Sequence, residues 1–216
     1  WMLNSAMPGM LWQLYDWYLM PNGAFYGAKN ACRPLNMLYN YKDHSVYLIN
    51  DYLHAVDDLS AEIRVLAIDG KELVAKTMET RIGANQSSRL YSLPVVQCCE
   101  NIYFLDLRLK TSADKTPLIN FYWLSTKQDG LDYESGEWFL TANSSFANFT
   151  AINRMQSVQI NTAHRFVNQN EKTLMQIDLE NPADGIAFFI ELSVKDSNTG
   201  LTLLPVFWED NYISLL

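Results

Sequence analysis

An all-β fold, arranged as two consecutive β-sandwiches, is what the sequence predicts. Three observations carry that expectation. Short runs of alternating apolar and polar residues recur after about residue 35, as half-buried strands require. Gly, Asn, Asp and Pro punctuate the runs at the spacing of turns. Helical periodicity is confined to one short stretch near the start. The chain has 216 residues, 49% of them hydrophobic, which suffices for two domains of about 100 residues, each able to bury a core.

The first twenty residues, "WMLNSAMPGMLWQLYDWYLM", are rich in large apolar side chains and carry only one charge, Asp16. A membrane helix needs about 20 apolar residues with few interruptions, and Asn4, Pro8, Gly9, Gln13 and Asp16 interrupt this one. A signal peptide needs a basic leading region, which is missing. The segment therefore reads as the interior of a larger protein. Next, "GAFYGAKNAC" predicts the single helix. Ala24, Ala28 and Ala31 favour it, Gly27 weakens it and Pro34 stops it. The helix over 24–32 is expected to dock its Phe25, Ala28 and Ala31 side on the first sandwich.

From Arg33 to Leu124 the chain holds about seven strand candidates, the number of an immunoglobulin-like sandwich. "EIRVLAIDGKELVAKTM" predicts a hairpin turning at Asp69-Gly70. "IYFLDLRLK" alternates, with Tyr103, Leu105, Leu107 and Leu109 on a core face and Asp106, Arg108 and Lys110 on a solvent face. "SVYLIN", "RLYSLPVV" and "PLINFYWL" complete the set. The polar stretch "STKQDGLDYESGEW" is expected to be the linker and entry to a second sandwich. Beyond it "SVQINTAHRF", "KTLMQIDLE", "GIAFFIELSVK", "LLPVFW" and "YISLL" predict the strands of a second sandwich. That sandwich ends on apolar Leu216 and is expected to lack its final strand. The expected domains are 1–32, 33–126 and 127–216.

The formal net charge is −8. Nucleic acid and anionic membrane demand clustered Lys and Arg, so neither is an expected partner, and no membrane span is expected. Cys32, Cys98 and Cys99 are read as reduced thiols acting as small apolar residues. His44, His54 and His164 are scattered without a second ligand at metal spacing, so no metal or other cofactor is expected. No Gly-x-Ser-x-Gly or Cys-x-x-Cys motif is present. Asn85, Asn143 and Asn148 each begin an Asn-x-Ser/Thr triplet, relevant only in a eukaryotic secretory pathway.

One acidic group, Asp129, Asp132, Glu134 and Glu137 beside Trp138, has the makings of a glycosidase site. The alternatives are a solvated linker, which the absence of any legible pairing favours, and a calcium site, whose spacing does not match an EF-hand loop. The aromatic residues Tyr122, Trp123, Tyr133, Trp138 and Trp208 are read as sandwich core. The alternative is an exposed glycan platform, and Trp138, beside the polar stretch, fits core least well.

"WMLNSAMP" resembles the end of the eighth barrel strand in glycoside hydrolase family 2, with Trp1, Leu3, Asn4 and Pro8 matching and Met7 standing where the family usually has a second Trp. "WQLYDWYLMPNGAFYGAKNACRPL" resembles the last barrel helix and its exit. The similarity continues through "YNYKDHSVYLIN", "NFYWLSTKQDGLDY" and "LPVFWEDNYISLL". It is nearest to the exo-β-D-glucosaminidase and β-mannosidase-like branch. The resemblance implies that residues 1–32 are a TIM-barrel remnant preceding the two sandwiches. It also implies a retaining parent enzyme whose two carboxylates, about 5 Å apart, lie on earlier barrel strands, so that this chain holds no catalytic residue. Trp1 and Asn4 would belong to the parent's sugar subsite, Trp1 stacking on a pyranose face. The implied partners are β-linked glucosamine or mannose glycans and the missing barrel, with self-association through cut ends a further expectation, and the implied compartment is secreted or periplasmic. A free-standing glycan-binding module and an immunoglobulin-like adhesion protein are the alternatives.

Overall fold

A computed structural model describes residues 2–5, 7, 13–96, 101–112, 116–169 and 172–216. In chain order the elements are β1 (Met2–Asn4), β2 (Gln13–Tyr15), α1 (Gly23–Ala31), β3 (Leu35–Asn40), β4 (Ser45–Asn50), β5 (Val56–Ala67), β6 (Glu72–Ile82), β7 (Gln86–Ser92), β8 (Ile102–Lys110), β9 (Leu118–Ser125), β10 (Gly130–Glu137), β11 (Leu140–Ser145), a 3-10 turn (Thr150–Arg154), β12 (Asn161–Gln169), β13 (Lys172–Glu180), β14 (Ala187–Ile190) and β15 (Ile213–Leu215). Strands dominate, and among the described residues there is one α-helix and no barrel. Two compact units form, one from Pro34–Gln156 and the other from Trp1–Arg33 with Ser157–Leu216.

The Pro34–Gln156 unit is a sandwich of a three-stranded sheet, β3-β4-β7, and a four-stranded sheet, β6-β5-β8-β9. Every neighbour pair is antiparallel. Seven strands split three and four is the immunoglobulin constant-type arrangement. The period-2 pattern explains the core. Leu59, Ala61, Ile63 and Val65 of β5 and Leu105, Leu107 and Leu109 of β8 point inward and meet Met37, Val46 and Leu48 of the other sheet. At the β5–β6 turn Gly70 adopts φ 89°, open to glycine and strained for other residues. The Asp69 carboxylate accepts from Lys71 N at 3.1 Å. Asn120 of β9 ties the two sheets together, its amide donating to Asn36 Oδ1 at 2.6 Å and to Met37 O at 3.0 Å.

Strand β8 departs from the expected half-burial. Ile102, Phe104 and Asp106 are as buried as the inward leucines. Phe104 stacks on Phe121 of β9 at 5.3 Å. Asp106, 1% exposed, accepts from Arg108 Nε at 2.8 Å and from Arg64 Nε at 3.1 Å and Nη2. Arg64 sits opposite Asp106, and Glu62 opposite Arg108, so the charges alternate in sign across the pair. The stretch expected to be linker and entry to a second sandwich is more ordered than a linker. It forms strand β10, in a hairpin with β11.

In the other unit β1 and β2 pair in parallel, β12 and β13 form a regular hairpin, and β14 pairs with β15. Helix α1 starts where Asn22 accepts from Phe25 N at 3.2 Å, an N-cap that satisfies one of the orphan amides. The same Asn22 amide donates to Gln13 O at 2.6 Å, fastening the helix to β2. Its docking corrects the sequence reading. The buried residue is Tyr26, 2% exposed, rather than Phe25, Ala28 or Ala31, and its partner is the C-terminal segment. Tyr26 lies 6.1 Å from the Tyr212 ring, Tyr212 lies 5.3 Å from Phe189, and Lys29 donates to Glu209 O. Phe25 turns instead to Tyr15 at 5.1 Å. Asn211, buried, mimics a strand neighbour: its side chain accepts from Leu192 N at 2.7 Å and donates to Leu192 O at 2.9 Å.

"LLPVFW", residues 203–208, is expected to be a strand and is irregular; Pro205 has no N–H to give a ladder.

Candidate functional site

The acidic group lies on the β10–β11 hairpin, and the structure divides it into two kinds. Asp129 accepts from Ala147 N at 2.7 Å, closing the base of the hairpin. Asp132 accepts from Ser135 Oγ at 2.6 Å and from the backbone N–H groups of Glu134 and Ser135 at 3.0 and 3.2 Å. Those donors, the Ser135 hydroxyl first, hold its carboxyl below the ordinary aspartate range. Glu134 and Glu137 are exposed, and neither side chain has a hydrogen bond or ion pair among the described residues. Two of the four acids therefore build the hairpin, and two are free for a ligand.

The turn itself is Trp138-Phe139. Glu137 pairs with Leu140, so these two residues are the whole loop. Two-residue hairpin loops favour Asn-Gly and similar pairs; this one places two aromatic rings there, edge to face at 5.1 Å. Trp138 is 95% exposed and Tyr133 is 78% exposed. Phe139, Leu140, Leu131 and Phe146 are exposed as well. The tight path is allowed by Gly136, where a Cβ would stand 2.6 Å from Leu140 O. The core reading of the five aromatics thus holds for Tyr122, which packs against the core cluster, and partly for half-buried Trp208. It fails for Tyr133 and Trp138, and for Trp123, which is partly exposed.

The remaining sequence candidates are dispersed. Asn4 is exposed on β1, opposite Tyr15. Met7 is exposed. Trp1, Pro8, Cys98 and Cys99 lie outside the described residues. Cys32 is exposed at the C-cap of α1 rather than packed as an apolar residue. His44 Nδ1 bonds the Tyr39 hydroxyl at 2.7 Å, His54 stacks on Tyr52 at 5.1 Å, and His164 lies 6.0 Å from Phe166. Asn85 is exposed at the β6–β7 turn, Asn143 lies in β11, and Asn148 accepts from Thr150 N and Oγ1. Among the described residues no group of three or more His, Cys, Asp or Glu is placed to hold a metal ion, and no helix is long and apolar enough to cross a membrane. A cavity of about 20 Å³ between Met20, Glu191, Trp208 and Tyr212 has room for water and not for a sugar ring.

Comparison with known proteins gives this architecture its relatives. Residues 138–216 match the exo-β-D-glucosaminidase Ig-fold domain, and residues 42–128 match the mannosidase Ig/CBM-like domain. Curated exo-β-D-glucosaminidases from Arthroderma benhamiae and Amycolatopsis orientalis are 33% and 36% identical across 100% of this chain. The crystal structure of the Amycolatopsis orientalis exo-chitosanase CsxA superposes on 100% of the chain with a TM-score of 0.90 at 34% identity. The chain resembles the C-terminal, immunoglobulin-like part of the exo-β-D-glucosaminidases and β-mannosidase-like enzymes of glycoside hydrolase family 2. A β-D-mannosidase from Dictyoglomus thermophilum, 17% identical with a TM-score of 0.60 over 100% of this chain and 22% of its own, shares the fold. The chain spans 24% and 21% of the length of the two curated glucosaminidases and 26% of CsxA, and the part it matches holds two immunoglobulin-like domains. The Trp138-Phe139 hairpin tip opens the region matched by the glucosaminidase Ig-fold family.

Proposed function

We propose that this chain is the non-catalytic C-terminal portion of a family 2 exo-β-D-glucosaminidase. The full-length enzyme would release terminal β-linked glucosamine by a retaining mechanism, with an acid/base and a nucleophilic carboxylate about 5 Å apart supplied by its barrel. The observation that carries this reading is the end-to-end match to CsxA, 100% of this chain against 26% of that one. The relatives from Arthroderma benhamiae and Amycolatopsis orientalis are likewise exo-β-D-glucosaminidases. The division of the hairpin acids supports the non-catalytic part: Asp129 and Asp132 are engaged by backbone amides, and among the described residues no second carboxylate shares a shielded site with either. In the parent, the two domains would brace the barrel and help wall its cleft. Export to a secreted or periplasmic compartment belongs to the same proposal. Terminal mannose is the second reading, favoured by the mannosidase-type match of residues 42–128.

The test is an assay on chromogenic β-D-glucosaminide and β-D-mannoside. The isolated chain is expected to show no turnover above buffer, while the protein from the full reading frame hydrolyses the glucosaminide. Turnover by this chain alone overturns the non-catalytic assignment. A full-length protein that cleaves the mannoside and spares the glucosaminide overturns the choice of sugar.

A further inference from the structure

We infer that the β10–β11 hairpin is a docking surface for cationic, amine-bearing β-linked glucosamine chains, which it grips through the exposed rings of Tyr133 and Trp138 and the exposed carboxylates of Glu134 and Glu137.

Three independent observations converge on that surface. The first is apolar exposure. Tyr133, Trp138 and Phe139 are large rings held in solvent, and exposed apolar patches of this kind mark interaction sites. The second is turn chemistry. Two-residue loops usually carry small, polar turn residues, and this one keeps negative φ at both positions. Here Trp138 and Phe139 occupy it, a choice that contributes nothing to the turn. The third is charge. From Gln128 to Asn153 the sequence has four acids and no Lys, Arg or His. The two acids free of structural bonds, Glu134 and Glu137, are each a chain neighbour of an exposed ring.

An aromatic ring offers a face for the apolar side of a pyranose and attracts a ligand cation over its π-system. A carboxylate beside it pairs with an ammonium group. Glucosamine carries both halves of that match: an apolar ring face and, in its non-acetylated form, a protonated amine at mildly acidic pH. Neutral glycans match the ring alone. Anionic glycans and nucleic acids are repelled by the charge. The surface therefore selects the deacetylated polymer and would hold the chain that the parent trims from its end. This inference rests on the glucosaminidase reading for its substrate class and adds a second place on the protein where that substrate binds.

The experiment is an NMR titration of the isotopically labelled 216-residue chain with a glucosamine hexamer and, separately, its fully N-acetylated counterpart. The expected result is movement of the amide signals of residues 131–140 with the deacetylated hexamer, and at least about fivefold weaker binding of the acetylated one. The double substitution Glu134→Gln with Glu137→Gln keeps shape and removes charge. It is expected to weaken binding about fivefold or more, as is a rise in salt to about 0.3 M. Trp138→Ala, at an exposed loop position that leaves folding intact, is expected to do the same. Equal binding of the two hexamers, binding unaffected by the Gln pair, shifts confined to other residues, or no binding of either hexamer each overturns the proposal. None of these results touches the chromogenic assay, so a failure here is distinguishable from a failure of the parent assignment.

Discussion

Replacing Asp106 by alanine tests the most consequential packing feature of the sandwich. The carboxylate is buried on the face of β8 opposite the leucine core and is held by Arg64 and Arg108. Removing one partner of a buried ion pair costs about 3–5 kcal/mol, because the other charge is left uncompensated. Here the two arginine side chains are 20% and 28% exposed, and Arg64 keeps Glu62 at 3.4 Å. Both guanidinium groups therefore recover some hydration, and the expected loss falls to about 2–4 kcal/mol. With a urea dependence of about 2 kcal/mol/M, the unfolding midpoint drops by about 1–2 M. Far-UV circular dichroism in urea reads it. Lys110→Ala, exposed on the same face of the same strand, is the control, expected within about 0.5 kcal/mol. In an Arg64→Ala background the Asp106 substitution should cost less than it does alone, since the shared interaction is already gone. A cost below about 0.5 kcal/mol for Asp106→Ala would mean that the side chain faces water, and the two-sided burial of β8 would fall with it.

Tyr26→Phe is expected to cost no more than about 1 kcal/mol, because the buried hydroxyl makes no close hydrogen bond and has only the Asn211 side chain, itself engaged with Leu192, near it; Tyr26→Ala, which removes the ring against Tyr212, is expected to cost about 3–5 kcal/mol by thermal or urea unfolding. Burial raises the phenol pKa values of Tyr39 and Tyr122, the neighbouring Tyr103 adding to the effect at Tyr39. The folded state thus keeps protons that the unfolded chain sheds near pH 10, so this stability is complete below about pH 10 and is lost above it, by up to about 1.4 kcal/mol per pH unit for each retained proton. Tyr122→Phe should flatten that alkaline limb in urea unfolding measured at successive pH values, although Tyr39 N loses its 3.3 Å acceptor.

Much of the fold was legible because strand pairing writes a local signal. The inward residues of β5 and β8 repeat every second position, and Asp69-Gly70 announces its own turn. Asn22 is legible as a cap once the helix is seen. The site was half legible. Acid and aromatic residues near 129–138 stood out by type, but their division into Asp129 and Asp132, which bond backbone, and Glu134 and Glu137, which do not, depends on the hairpin path. The polar composition of that stretch matched a linker equally well, since strands exposed on both faces lack the apolar alternation that reveals a strand.

Local periodicity and turn chemistry are properties of neighbours along the chain, so the amino-acid sequence alone determined the all-β class, the seven-strand count of the first sandwich and the position of the helix. What covers a given face is a property of residues far apart in sequence. The tertiary structure therefore decided that Asp106 is buried by Arg64 from a different strand, that α1 docks through Tyr26 on Tyr212, and that Trp138 stands in solvent at a hairpin tip. Burial is settled by the partner a side chain meets, and one-dimensional pattern names the residue without naming that partner.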